Sequence, residues 1–431
     1  MEKLNPTVWR WSNPPGLNES NPVTHVTRVA MFDLDDTLVV ANHRPKSTSD
    51  FTFMPHIKEH LTELIELGVA IVVVTNQGGI AHGNSKIVPR ITTIMQNIAS
   101  FLHLDDGPKS GILQCYIAGA HDIYRKPMTG LFERYIWPTF PKVKTWSYVG
   151  DAAGRPGDFS STDRKFAYNI DLIFQYLRTH VPTDESLLRL VQTVYPDGQP
   201  LNGEPADRPR LSFQVPEECF AEGQPAPDTR PREWWGFYPG GYLKTLDSKE
   251  GQRKLSLQLA KIQKEASKGL TVVVMIGAQG SGKSSIALKI AEKIKGTPVS
   301  RDNYATQAKF IEQAQKLVRA GRSVVLDATH PTRVSRGAVA VAVMSSVKAN
   351  LIYVHVNTPR NIAFHLNQVR LWKAGNYVPE AAHHKFYNEF QAPESYIEVP
   401  FHPEFRSSDE RFRFLQFTEE GAQHRMTTQE D

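Results

Sequence analysis

Between Val29 and about Asn169 the chain repeats one pattern, a short apolar run that stops on polar or charged residues and is followed by a stretch of helical periodicity. "VAMFDLD" leads to "IKEHLTELIELG" and "VAIVVVTNQ" to "VPRITTIMQNIASFLHL", while "ILQCYIAG" and "TWSYVGD" continue the series. Strand-like runs alternating with helical periods predict βαβ units, a parallel sheet and an α/β fold. In an open α/β sheet, ligands bind beyond the carboxyl ends of the strands. The runs end on Asp33 and Asp35, on Thr75 and Asn76, on His121 with Arg125 and Lys126, and on Asp151, so these residues are expected to meet in one cleft. Carboxylates that leave water need a cation, a hydrogen-bond network or a chemical task to compensate.

With 431 residues, 40% of them hydrophobic, the chain has room for two or three domains, each with its own core. The expected division is an N-terminal extension (1–28), a first α/β domain (29–222) with an insertion at about 171–210, a linker (223–265) and a second α/β domain (266–431). Proline and glycine crowd the stretch from Gly198 to Gly241, which argues for irregular chain, and Trp234 and Trp235 are expected to pack it onto a neighbour. No apolar run approaches the roughly 20 residues of a membrane span, and residues 1–28 lack a secretory leader's pattern, so a soluble intracellular protein is expected. Cys115 and Cys219 stand far apart in mixed apolar segments and read as buried thiols, not as a disulfide or a zinc site. A formal charge of +5 leans only slightly toward a polyanionic partner.

The second domain opens on a different chemistry. Gly277 to Ser284 reads G-A-Q-G-S-G-K-S between the apolar run "LTVVVMI" and the helical "SSIALKIAEKIK", the context a phosphate-binding P-loop requires. Gly277, Gly280 and Gly282 let backbone N–H groups curl around a polyphosphate, Lys283 reaches the transferred phosphate, and Ser284, followed by Ser285, is placed to hold Mg²⁺. Arg301 and Asp302 follow the next strand, and Asp327 ends the one after it. Either acid suits a general base or a magnesium organiser, with a helix cap or loop carboxylate as the competing use. In "HLNQVRLWKAG", Arg370 lies on a basic helix face and is a candidate lid arginine, with a solvated surface cation as the alternative.

These elements in this order resemble the polynucleotide kinase 3′-phosphatase family of DNA-end repair enzymes, without the forkhead-associated domain of its animal members. "FDLDDTL", "VVVTNQGGIAHG", "YRKPMTG" and "VGDAAGRPGDFSSTDRKFAYNI" are similar to the four signatures of a haloacid-dehalogenase (HAD)-type phosphatase, and "RDN", "LDATHPT" and "FQAPESYIEVPF" to the family's P-loop kinase domain. The resemblance implies a HAD-like Rossmannoid phosphatase followed by a P-loop kinase. It implies that Asp33 is the nucleophile, that Asp35 is the acid and then the base, that Thr75 binds the phosphate and that Lys126 neutralises the aspartyl-phosphate. Mg²⁺ would be held by Asp33, the Asp35 backbone carbonyl and Asp151, and in the kinase by Ser284, with Asp302 as base, Arg370 as lid and ATP as phosphate donor. Three departures stand out: Asp36 replaces the usual glycine after the second acid, roughly 40 residues from about Asp171 to Arg210 are inserted where the family runs almost continuously, and Gln368 occupies a lid position that is often basic.

The implied activity is removal of 3′-phosphates from DNA ends and ATP-dependent phosphorylation of 5′-hydroxyl ends. RNA-end healing is the alternative from the same chemistry, because the catalytic groups do not report a 2′-hydroxyl. A silent end-binding scaffold predicts loss of Asp33, Lys283 or Asp302, all of which are present; a kinase fused to a small-molecule phosphatase is disfavoured by the kinase-half stretches. DNA ends and repair proteins are the expected partners, acting on a monomer with no membrane contact. With no dense Lys/Arg cluster, nuclear residence follows from the substrate alone, with mitochondria as a second compartment.

Overall fold

The apolar runs are strands. A computed structural model describes residues 1–42, 46–104, 112–155, 157–158, 160–183, 187–188, 191, 209–220, 239–375, 377–402, 405 and 407–416. The chain divides into two compact units, Met1–Gly236 with Gln416–Asp431, and Phe237–Leu415.

The first unit is built on strands β1 (Glu2–Asn5), β2 (Val8–Asn13), β3 (Arg28–Phe32), β4 (Ala70–Asn76), β5 (Leu113–Ala118), β6 (Thr145–Val149) and β7 (Arg210–Gln214). They form one seven-stranded sheet in the order β1-β2-β5-β4-β3-β6-β7. The strands from β5 to β7 run parallel, as the βαβ pattern predicts, and β1 and β2 close one edge antiparallel. Side chains alternate across the sheet. On one face Ala30, Phe32, Ile71, Val73 and Cys115 pack with Leu61, Ile91, Ile94 and Ile98 from helices Ile57–Glu66 and Ile87–Phe101. Against the other face lies an aromatic cluster in which Trp137 meets Phe174 edge-on at 4.9 Å between ring centroids, and Phe132 meets Trp146 at 5.1 Å.

Two boundaries differ from the sequence reading. Residues 1–28 are not an extension, because β1 and β2 supply the edge of the sheet, with β2 registered along the whole of β5 from Val8 opposite Ala118 to Asn13 opposite Leu113. The mixed run "VWRWSN" hides this strand because Arg10 points inward, and that inward charge is compensated by Glu2 at 2.6 Å. Likewise, the stretch assigned to a linker turns helical at Pro239–Asp247 and Lys249–Ala266, whose Leu255, Leu259 and Ile262 enter the core of the second unit. Trp234 and Trp235 lie outside the described residues, as does most of the 171–210 insertion, although helix Thr162–Leu177 runs unbroken into its start. Both cysteines are free thiols, Cys115 buried and Cys219 partly so, and no described helix is long and apolar enough to cross a membrane.

The second unit carries β8 (Thr271–Ile276), β9 (Thr297–Ser300), β10 (Val324–Asp327), β11 (Asn350–Asn357) and β12 (Ile397–Pro400) as a parallel sheet in the order β12-β11-β8-β10-β9. The central strand β8 is buried along its whole length, as its continuous "TVVVMI" run requires. Arg336 joins two stretches far apart in sequence: Nη1 donates to the His330 and Pro331 carbonyls at 2.9 Å, and Nη2 to the Gln391 carbonyl. This ties "DATHPT" to "FQAPES", two of the stretches on which the family resemblance rests.

Removing the Trp137 side chain should leave a cavity that its aromatic neighbours cannot fill, and Trp137→Ala is expected to cost roughly 3–5 kcal/mol of stability, read by chemical denaturation.

Candidate active sites

In the first unit the chain leaves β3 with the Asp33 N–H donating to the Val149 carbonyl at 2.9 Å, and then folds back on itself as Leu38 N–H and Val39 N–H both donate to the Leu34 carbonyl. The turn needs one residue in the left-handed region, and Asp36 takes it at φ 52°. Aspartate tolerates that conformation better than most side chains, which explains how it stands where glycine is usual. Its carboxylate also accepts from the Ala41 N–H at 2.8 Å, closing the loop from within.

Lys126 is the centre of this site. Its ammonium is buried and donates to Asp33 Oδ1 at 2.6 Å, to Asp163 Oδ1 at 2.7 Å and to the Tyr148 hydroxyl at 2.8 Å, and that hydroxyl in turn donates to Asp163 Oδ1 at 2.9 Å. Asn76, at the end of β4, holds the Lys126 backbone on both sides: Oδ1 accepts from the Lys126 N–H at 2.8 Å and Nδ2 donates to its carbonyl at 3.0 Å. Gln77 Nε2 donates to Asp35 Oδ2 at 2.8 Å and to Thr75 Oγ1 at 2.9 Å, so the second acid and the threonine share one amide. Carboxylate oxygens of Asp33, Asp151 and Asp163 come within 4.8 Å of one another. Gly150 makes this approach possible, since a Cβ there would stand 2.5 Å from the Asp163 carboxylate.

The electrostatics follow from that crowding. Burial pushes the Asp33 carboxyl well above the usual carboxylate range; Lys126 opposes the rise, and the neighbouring Asp163 and Asp151 charges add to it. Burial, reinforced by Asp163, lifts Asp151 to about 7. For Lys126 burial works against the charge, yet Asp163 and Asp33 together raise it above the ordinary lysine value. At the Asp33–Asp151–Asp163 cluster, which lines a cavity of about 660 Å³, a single ammonium faces three carboxylates, so the cluster itself is short of positive charge.

In the second unit the P-loop follows β8, and Gly280 and Gly282 have φ 71° and 81°, in the region that favours glycine. At Gly280 a Cβ would also lie 2.7 Å from the Ala363 carbonyl, so helix Arg360–Ala374 packs directly onto the loop. Lys283 opens helix Lys283–Ile294 and donates to the Ala278 carbonyl at 2.6 Å. Burial brings its pKa down to about 8, with Asp327 and Asp302 resisting and Arg370 adding to the fall. Ser284 Oγ donates to Asp327 Oδ2 at 2.7 Å, which separates the two acids: Asp327 belongs with Ser284, while Asp302 sits exposed in the turn Arg301–Asn303 after β9. Arg370 is exposed, one turn beyond Asn367 on the helix face that meets the P-loop, whereas Gln368 is buried. Ser285 lies in the first turn of the P-loop helix.

Residues 28–180 match the family model described as polynucleotide kinase 3 phosphatase. A putative bifunctional polynucleotide phosphatase/kinase of Acanthamoeba polyphaga mimivirus is 27% identical over 391 residues, 85% of this chain and 80% of the relative. A bifunctional polynucleotide phosphatase/kinase of Schizosaccharomyces pombe is 26% identical over 369 residues, 84% of this chain and 75% of the relative. Over most of its length the chain is thus similar to bifunctional polynucleotide phosphatase/kinases. A polynucleotide 3′-phosphatase of Arabidopsis thaliana is similar over 37% of the chain, at 29% identity. The HAD-like phosphatase and P-loop kinase units expected from the sequence are both present.

The structure brings Asp33, Asp35, Thr75, Lys126 and Asp151 into one cleft, and gathers Lys283, Ser284, Asp302 and Arg370 around the P-loop. Sequence reasoning did not single out Asp163, Tyr148, Gln77 or Arg90, which line or support the first cleft, and it left Asp327 without a settled role. Asp163 and Tyr148 sit on helix Thr162–Leu177 and on β6, and their pairing with Lys126 exists only once the sheet is closed. Asp163→Asn removes one of the two anions that offset a buried ammonium. It is expected to destabilise the phosphatase unit by roughly 3 kcal/mol in denaturant titration, the scale for breaking a buried pair, and to lower phosphate release.

Proposed function

We propose that this protein removes 3′-phosphates from DNA ends and phosphorylates 5′-hydroxyl ends with ATP, leaving ends that can be ligated. The observation that carries the reading is the Asp33–Lys126–Asp163 cluster at the carboxyl end of a parallel sheet, in a chain that also holds a P-loop with a lysine, a serine and two acids around it.

In the phosphatase, an Asp33 oxygen attacks phosphorus as the P–O3′ bond breaks, and Asp35 gives its proton to the departing oxygen. Asp35 then takes a proton from water, which attacks the same phosphorus and frees Asp33 and inorganic phosphate. Gln77 holds the Asp35 carboxylate for both transfers. Thr75 donates to the phosphate, and Lys126 neutralises charge on Asp33 and its phosphoryl adduct. The acid cluster fits Mg²⁺: both Asp163 oxygens are occupied, Oδ1 by Lys126 and Tyr148 and Oδ2 by the Ala152 N–H at 3.1 Å, which leaves Asp33 and Asp151, with the Asp35 carbonyl, as the residues that would hold the ion. When bound, it supplies charge that offsets carboxylate and phosphate repulsion.

In the kinase, Asp302 takes the proton of the 5′-hydroxyl as its oxygen attacks the γ-phosphorus of ATP, and ADP leaves. Gly277, Gly280 and Gly282 shape the backbone cradle, Lys283 leaves the Ala278 carbonyl for the phosphates, and Arg370 closes over them. Ser284 and Asp327 would hold Mg²⁺ there, with Ser285 beside them in the helix start. DNA rather than RNA rests on the family resemblance; matched DNA and RNA oligonucleotides test it. A DNA-end substrate points to the nucleus, with mitochondria second, to repair proteins as partners and to action as a monomer.

Asp33→Asn is expected to abolish 3′-phosphate release while sparing 5′-phosphorylation, and Lys283→Ala to do the reverse, both read on one DNA labelled at each end. A folded single variant that lost both activities would overturn the two-site reading. Asp302→Asn should slow single-turnover 5′-phosphorylation by about 10² or more with ATP affinity and melting temperature near wild type, since an amide cannot take the proton. A wild-type transfer rate in that variant would return Asp302 to the status of a loop carboxylate.

A further inference from the structure

Arg90 is the least satisfied cation of the phosphatase cleft. It lies in the first turns of helix Ile87–Phe101, it is 7% exposed, and its guanidinium faces the cavity with Nη1 3.5 Å from Asp35 Oδ1. That separation is longer than a good hydrogen bond, and among the described residues neither Nε nor Nη2 has a partner. Burying a guanidinium costs desolvation that one long ion pair does not repay. Asp35 does not need Arg90 to orient it, because Gln77 already holds its other oxygen at 2.8 Å.

The surroundings of Arg90 suit an anion. Helix Ile87–Phe101 begins without a side-chain cap, and Lys86, exposed at the N-cap, and Ile87, the first helical residue, line the same cavity as Arg90. Arg90 thus adds positive charge beside Asp35, and Lys86 and the helix start add theirs to the lining of the same cavity. In the reaction proposed above, Asp35 faces the leaving O3′, and the part of the substrate beyond O3′ is the nucleotide and the strand that precedes it.

We propose that Arg90, Lys86 and the start of helix Ile87–Phe101 form a second phosphate subsite, which takes the phosphodiester next to the 3′-terminal nucleotide. This rests on the phosphatase reading and deepens it: the subsite makes the cleft prefer a polynucleotide end over a nucleoside 3′-phosphate, which has no such phosphodiester. Arg90 and Lys86 bind the strand, and neither takes part in proton or phosphoryl transfer.

The test compares thymidine 3′-phosphate with the dinucleotide dTpTp, and reads the ratio of their kcat/KM values in wild type, Arg90→Gln, Arg90→Lys and Lys86→Ala. Wild type should favour dTpTp by about tenfold or more, the worth of one charge-assisted hydrogen bond, and Arg90→Gln should collapse most of that preference through KM. Arg90→Lys should keep part of it. Lys86→Ala, at an exposed position that does not threaten folding, should also reduce it. A wild type without preference overturns the subsite, as does a ratio unchanged by the variants, including the case in which Arg90→Gln slows both substrates equally and so acts through Asp35. A binding arm keeps this separate from the phosphatase reading: a labelled oligonucleotide with a 5′-phosphate and a 3′-hydroxyl, which neither activity consumes, should bind less tightly to Arg90→Gln and Lys86→Ala, with the salt slope falling by about one. Should wild type release phosphate from neither ester, the phosphatase reading fails and this arm alone decides the subsite, unchanged affinity overturning it.

Discussion

The phosphatase unit depends on one buried ammonium. Lys126 has exchanged water for Asp33, Asp163 and Tyr148, and the exchange is tolerable only because each partner lies within 2.8 Å. Each neighbouring element then has a stated task. The end of β3 delivers Asp33, β6 delivers Tyr148, helix Thr162–Leu177 delivers Asp163, and Asn76 fixes the lysine backbone from β4. Even Gly150 belongs to this arrangement, since any side chain there would push Asp163 away. The cost is an excess of carboxylate over ammonium, which raises Asp33 and lifts Asp151 to about 7. A cluster in which three carboxylates face one ammonium is suited to a cation.

The kinase unit solves a related problem with the opposite sign. Here the lysine is buried with no carboxylate in contact among the described residues; it rests on the Ala278 carbonyl, and burial lowers it to about 8. An arriving phosphate would restore the charge that burial disfavours. Ser284 and Asp327 are already hydrogen-bonded to each other, so the part of the site suited to a cation is assembled before any nucleotide arrives. Asp302 sits exposed in its turn, apart from the Ser284–Asp327 pair. The two units thus differ in build, an aspartate–lysine cluster at the strand ends of one and a glycine-rich loop opening onto a helix in the other.

Periodicity alone sufficed for the parallel strands β3 to β6 and β8, because buried parallel strands must be continuously apolar and must end where the cleft begins. It failed at β2, where an inward arginine breaks the run, and at Pro239–Asp247, where proline and glycine at the start disguise a helix. The motif residues were legible for a local reason. Asp33 and Asp35, Lys126, Asp151 and Gly277 to Ser284 sit at strand ends and tight turns, where neighbouring residues already constrain the backbone.

From the sequence alone came the two α/β units, the four phosphatase signatures and the P-loop, all set by short-range spacing of apolar, acidic and glycine residues. Only the folded chain decided that Asp163 and Tyr148 complete the lysine site, that Asp327 rather than Asp302 pairs with Ser284, and that Arg90 lies buried beside Asp35. These are contacts between groups 22 to 55 positions apart, from Lys126 to Tyr148 at the short end to Arg90 and Asp35 at the long end. No local spacing encodes them, because a side chain's partner across such a gap is chosen by strand order and helix packing, and its charge state by the water that packing removes.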